Sequence, residues 1–226
     1  MSVILKEQTT QLVLKSQKAD GSTEKTNKLL VMLQWQSAGN KDLDLSVMFR
    51  KQGEKDLPTG NVNADATLYY GSKTALNGNA RLTADNTTGA DVNTQSTLTQ
   101  LGVNPNVVSK LANVAMDEAC FIDLNAIAPN YSEAYISVLD YNNHSFGDAE
   151  KIDIRFFNAE TGEQVGDVWQ YDACLQDDGN GFIVGKIVQE NDEWVVKSLA
   201  HPVKDEDGNS HLTFHDANYV INRTGI

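Results

Sequence analysis

Two stretches decide the fold, Leu29-Leu-Val-Met-Leu-Gln-Trp35 and Leu43-Asp-Leu-Ser-Val-Met-Phe49. The first is seven residues with Gln34 as its single polar member. That is long enough for a strand and apolar enough to be buried on both faces. The second alternates, so Leu43, Leu45, Val47 and Phe49 form one inward set and Asp42, Asp44 and Ser46 share the opposite face. Working outward, Cys120–Leu124 and Ala134–Leu139 read as further strands. Ile152, Ile154 and Phe156 alternate with Lys151, Asp153 and Arg155, which predicts one buried and one wet face. Asn158–Gly162 is a turn, with Val165–Tyr171 as the returning hairpin strand. Phe182–Val188 and Glu193–Leu199 form another hairpin around Glu190-Asn-Asp192. Short apolar runs at 3–5 and 12–14 precede a turn at Ala19-Asp20-Gly21-Ser22. Strands at this spacing, joined by tight turns, predict an all-β chain folded as a two-sheet β-sandwich.

One segment breaks the pattern. Asn104-Pro105 supplies a cap and a first-turn proline, and Val107, Val108, Leu111, Ala112 and Ala115 follow at helical spacing. We therefore expect one short inserted α-helix around 104–116. The tail from Lys204 to Ile226 opens on Asp205-Glu-Asp-Gly-Asn209 and continues in strand-like text through Leu212-Thr-Phe214. The expected organisation is one domain over 1–203 with 92–116 inserted, then a 204–226 extension.

At 226 residues and 40% hydrophobic content the chain can bury a core without disulfides or a structural metal. Eighteen basic against thirty-one acidic residues give a net charge of −13. Such a surface repels phosphate backbones and anionic headgroups, which argues against nucleic acid and membrane partners and in favour of cations or basic proteins. The N-terminus shows no secretory pattern and no apolar run reaches membrane-spanning length, so a cytoplasmic location is expected. The sequons at Asn86, Asn130 and Asn222 are then chance matches. Cys120 and Cys174 sit in apolar or strand-like text with no CxxC pair, and read as buried free thiols.

Two acidic stretches carry the candidate chemistry. Asp42 and Asp44 share a strand face about 7 Å apart, where two carboxylates repel unless a cation or solvent separates them. Thr83-Ala-Asp85-Asn86-Thr-Thr-Gly89-Ala-Asp91 packs oxygen donors into a glycine-containing loop. Calcium takes six to eight oxygen ligands in a flexible shell, and the absence of nitrogen and sulfur donors disfavours zinc and copper. Taken alone, the loop also fits an ordinary Asx turn. Asp177–Gly181 and Asp205–Asn209 fit hairpin turns better than metal loops. His211 and His215 read as exposed histidines. Asp140 and His144 share a loop without a nucleophile elbow, phosphate loop or dinucleotide fingerprint to join them, so no enzyme is expected.

Taken in order, several blocks resemble the TerD family of tellurium-resistance proteins. They are the strand ending in Trp35, Asp42-Leu-Asp44-Leu-Ser46, Leu68-Tyr-Tyr-Gly-Ser-Lys73, Asn77-Gly-Asn-Ala-Arg-Leu82, Asp85-Asn-Thr-Thr-Gly89, Asp117-Glu118, Ile122–Pro129, Phe146-Gly147, Ile154–Gly162, the Gly185 strand and Glu193-Trp194. The resemblance implies a β-sandwich that binds calcium at an acidic edge and serves stress operons for tellurite and phage resistance. It implies that Asp42 and Asp44 match the first acidic motif, Asp85, Asn86 and Asp91 the start of the second, and Asp117 and Glu118 its end. In the family the second motif is compact, whereas here 92–116 interrupts it. Calcium binding then requires that this segment fold back and return Asp117 and Glu118 to the loop. The expected function is a non-catalytic calcium-binding stress or scaffold module with a protein partner. The alternative is an interaction or phage-associated structural protein with a degenerate metal site.

Overall fold

The computed structural model describes residues 2–4, 11–17, 20–37, 41–58, 64–89, 92–128, 130–142, 149–171, 180–204 and 212–226. The chain begins with four short strands, β1 (Ser2–Ile4), β2 (Gln11–Val13), β3 (Lys15–Gln17) and β4 (Thr23–Lys25). The long β5 (Lys28–Ser37) and β6 (Leu43–Lys51) follow, then the short β7 (Thr67–Leu68), β8 (Thr74–Ala75) and β9 (Ala80–Leu82). Helices α1 (Thr94–Gln100) and α2 (Pro105–Leu111) lead into β10 (Glu118–Asp123), β11 (Tyr131–Asp140) and β12 (Ala149–Asn158). The chain closes with β13 (Val168–Tyr171), β14 (Gly181–Glu190), β15 (Glu193–Val203) and α3 (Phe214–Thr224).

One sheet has seven strands in the order β1-β13-β12-β5-β10-β9-β8, and a second has six in the order β2-β15-β14-β11-β6-β7. They pack face to face over a core that includes Leu29, Val31, Leu33 and Trp35 from β5 and Leu43, Leu45, Val47 and Phe49 from β6. The inward set expected for β6 is therefore the one observed. Both expected hairpins form: β12 pairs antiparallel with β13, and β14 with β15. The second turns on Asn191 and Asp192, both in the left-handed region, as a two-residue hairpin loop requires.

A two-sheet sandwich with one short helix is nevertheless not what the chain builds. A third, two-stranded sheet pairs β3 with β4, and there are three α-helices of seven or more residues among the described residues. The strands of the small sheet, Lys-Ser-Gln and Thr-Glu-Lys, are too short and polar for alternation to announce them. Helix α2 has the expected Asn104 cap and Pro105, but it ends at Leu111 rather than near 116. Helix α1 reads Thr-Gln-Ser-Thr-Leu-Thr-Gln, with Leu98 its single large apolar residue, so no 3.6-residue period exists in it; the Asn93 side chain caps it by accepting from the Ser96 N–H. The tail expected as strand-like is helix α3. Its signals were a Thr213…Asp216 capping box, a left-handed Gly225 terminus and apolar residues at Phe214, Ala217, Val220 and Ile221.

The helices explain why the central strands are apolar on both faces. Leu30, Met32, Ala119 and Phe121 on the outer face of the seven-stranded sheet pack with Leu98, Val107, Val108 and Leu111 of α1 and α2. On the other side Met48, Tyr135, Leu139 and Ile183 pack with Phe214, Ala217 and Ile221 of α3. The layers thus run helix, sheet, sheet, helix, and each covered Leu, Ile or Phe contributes about 1.5–3 kcal/mol. The expected wet face of β12 is only partly so: Asp153 is buried, held by Arg155 and by Gln170 on β13. Cys120 is buried and free, and burial pushes its thiol up to about 12. Cys174 lies outside the described residues.

Candidate metal centre

The acidic residues gather where β6 begins, β11 ends, β10 begins and the loop after β9 departs. Alternation along β6 puts Leu43 and Leu45 in the core, which leaves Asp42 and Asp44 on the opposite face. The loop after β9 is held to β10 by two bonds. The Thr83 N–H donates to the Ala119 carbonyl at 3.0 Å, and the Ala119 N–H donates to the Thr83 hydroxyl at 3.0 Å. Two residues later Asp85 meets the β6 aspartates: one carboxylate oxygen from each of Asp42, Asp44 and Asp85 lies within 4.8 Å of the others. Ligands of one calcium stand about 2.3–2.6 Å from it, so any two are separated by at most about 5 Å. The three carboxylates fit a shared divalent cation on that measure.

Asp117 and Glu118 brace this arrangement. Glu118 accepts from the Leu45 N–H at 2.8 Å and from the Asn86 N–H at 3.3 Å, tying β6 to the loop. Asp117 accepts from the Trp35 N–H at 2.9 Å and from the Asn86 side-chain amide at 3.2 Å. The chain beyond 92 does therefore fold back and return both acids to the loop. Asn86 also accepts from the Thr88 N–H at 3.3 Å, so the Asx-turn reading holds alongside the acidic one. Gly89, at φ +61°, lies so close to the Trp35 indole that a Cβ would stand 2.5 Å from its Nε1. Asp91 lies outside the described residues, as do His144 and His211. His215 is exposed on α3.

The electrostatics match the geometry. Burial, reinforced by Asp85 and Asp140, pushes the Asp42 carboxyl up to about 6. Burial followed by repulsion from Asp85, Asp42 and Asp140 pushes Asp44 up to about 8, with Lys73 opposing. Glu118 is raised well above the usual range, chiefly by burial, although the Leu45 N–H stabilises its anion. Among the described residues, Asp42 Oδ1 is buried with no hydrogen-bond partner. A cation would satisfy that atom and remove the repulsion. Sequence reading missed the contribution of Asp140, which is fully buried 3.5 Å from Lys41. It pairs with Leu43 across β6–β11, a register that local text does not announce.

Two packed sheets carrying an oxygen-only acidic cluster at one end define a β-rich protein with a potential divalent-cation site. The family described as the TerD domain matches residues 9–206, and the chain belongs to that family. It is similar in fold to a crystallised protein of unknown function, SAV2460, with a TM-score of 0.57 at 15% identity over 80% of this chain and 92% of the other. It is also similar to a homologue of telluride resistance protein (TerD), SCO6318 from Streptomyces coelicolor A3(2), with a TM-score of 0.55 at 9% identity over 80% of this chain and 93% of that one. At these identities the likeness is one of fold. No curated protein matches the chain. No helix among the described residues is long and apolar enough to cross a membrane.

Proposed function

We propose that this protein is a non-catalytic calcium-binding module that acts as a stress-response scaffold. The observation that carries the reading is the convergence of Asp42, Asp44 and Asp85 within 4.8 Å, with a buried and unpartnered oxygen on Asp42. Asp42, Asp44 and Asp85 would hold the ion, and Asn86, Asp117 and Glu118 would fix the loop that presents Asp85; Asp91 belongs to the same proposed set. Calcium is favoured over softer metals because, among the described residues, the donors that gather here are all oxygen. In this reading 1–203 is the functional domain, 92–116 is an insertion folded against it, and 204–226 is an extension. Net charge of −13 favours a basic protein partner in the cytoplasm over nucleic acid or a membrane surface.

The test is thermal unfolding of chelator-stripped protein with and without millimolar calcium, with magnesium as control. A ligand at a hundred times its dissociation constant adds about 2.7 kcal/mol, which raises the Tm of a chain this size by about 5–10 °C. A calcium-selective rise that disappears in an Asp44→Asn, Asp85→Asn double variant is the expected result. No rise in the native sequence sinks the reading.

A further inference from the structure

Beside the acidic cluster, at the edge of the seven-stranded sheet, the fold builds a second polar feature. A cavity of about 260 Å³ lies between the β8–β9 edge and helix α1, lined by Lys73, Thr74, Arg81, Leu82, Ala84 and Leu101 among others. Arg81 stands opposite Phe121 in the β9–β10 register, and its guanidinium lies over that ring at 4.5 Å from the centroid. Its Nε is buried without a hydrogen-bond partner, and no ion pair among the described residues involves it. In a chain carrying −13, a half-buried cation without a counter-ion is the less expected arrangement, since buried charges are ordinarily paired.

Room for that guanidinium is built in. Gly102 follows α1 at φ +77°, and a Cβ there would stand 2.9 Å from Arg81 Nη1. A second cation, Lys73, lines the same cavity and has a backbone carbonyl, that of Thr83 at 3.3 Å, as its hydrogen-bond partner. A guanidinium fork presents paired N–H groups that match a carboxylate or phosphate, and an ammonium adds a point charge beside it. Ala84 and Leu101 add apolar lining to the same cavity.

We propose that this cavity binds a small organic anion, its charged head on Arg81 and Lys73 and a short apolar body against Ala84 and Leu101. The site adjoins the acidic cluster through Lys73, whose charge also acts on Asp44.

The test is a backbone-amide NMR titration of the full chain in chelator, with hexanoate as the probe and inorganic phosphate and hexylammonium as comparisons. Hexanoate is expected to give saturable shifts at Arg81–Ala84 and at Thr97–Gly102, and hexylammonium none at Thr97–Gly102, because Asp85 beside Ala84 can itself attract an ammonium. In Arg81→Gln the response should be lost, and in Lys73→Gln it should weaken several-fold. Phosphate binding as tightly as hexanoate would remove the apolar body from the proposal. No saturation by hexanoate, equal binding of hexylammonium at Thr97–Gly102, or an unchanged response in Lys73→Gln would overturn it; the last arm decides the matter if Arg81→Gln does not fold.

Discussion

Replacing Asp44 by Asn is expected to stabilise the cation-free protein while removing its response to calcium. In the folded state burial and the carboxylates of Asp85 and Asp42 push Asp44 from 3.8 up to about 8. Between those values the native state holds a proton that the unfolded chain releases, so stability falls as pH rises through this window and is fully retained below it. At pH 7 the cost amounts to about 4 kcal/mol, at about 1.4 kcal/mol per pH unit. Asp42, pushed up to about 6, adds a slope of the same sign at lower pH. An amide at position 44 removes the charge and supplies a donor to the surrounding carboxylates. The sum is not additive, because Asp85 and Asp42 share the repulsion, so about 4 kcal/mol is the upper limit of the gain. The assay is urea unfolding in chelator at pH 5, 6, 7 and 8. The native chain should lose stability across the series, and Asp44→Asn should be flatter and more stable at pH 7. With calcium at a hundred times its dissociation constant the gap should close by about 2.7 kcal/mol, because the native chain alone gains. A variant less stable than the native chain in chelator at pH 7, with an unchanged pH slope, would refute the reasoning.

Gly89→Ala should cost about 2–3 kcal/mol, since φ +61° and a 2.5 Å approach to the Trp35 indole leave no room for a methyl; a reduced urea midpoint, followed by far-UV circular dichroism, checks it. Leu98 is fully buried, and Leu98→Ala should cost about 2–5 kcal/mol. A near-neutral result by calorimetry would mean that α1 is not part of the packed layer. Thr213→Ala removes the capping box of α3 and should cost about 1 kcal/mol, with faster amide exchange confined to the first turn of that helix.

Most of the strand framework was legible because alternation is a local property. Leu43, Leu45, Val47 and Phe49 declare their face within one strand, and Ile152, Ile154 and Phe156 do the same. Helix α2 was legible through Asn104 and Pro105, which mark a start by their own backbone chemistry. Helix α1 was not, because one leucine among polar residues carries no period; it is a helix because Leu98 has the β5–β10 face to cover. Helix α3 had readable caps, yet Leu212-Thr-Phe214 also satisfies a strand pattern, and the outer face of β6, β11 and β14 decides between them.

The site divides in the same way. Sequence by itself placed Asp42 and Asp44 on one face and made the 83–91 loop rich in oxygen donors, a pattern that suits an ordinary Asx turn as well as a cation. Tertiary structure alone decided that Asp85 stands within 4.8 Å of the pair. It likewise decided that Glu118 bridges Leu45 and Asn86, and that buried Asp140 adds to the repulsion. The physical reason is range. Side-chain direction follows from neighbouring backbone torsions, but the meeting of carboxylates 30 to 100 positions apart depends on how two sheets stack and on the register between their strands.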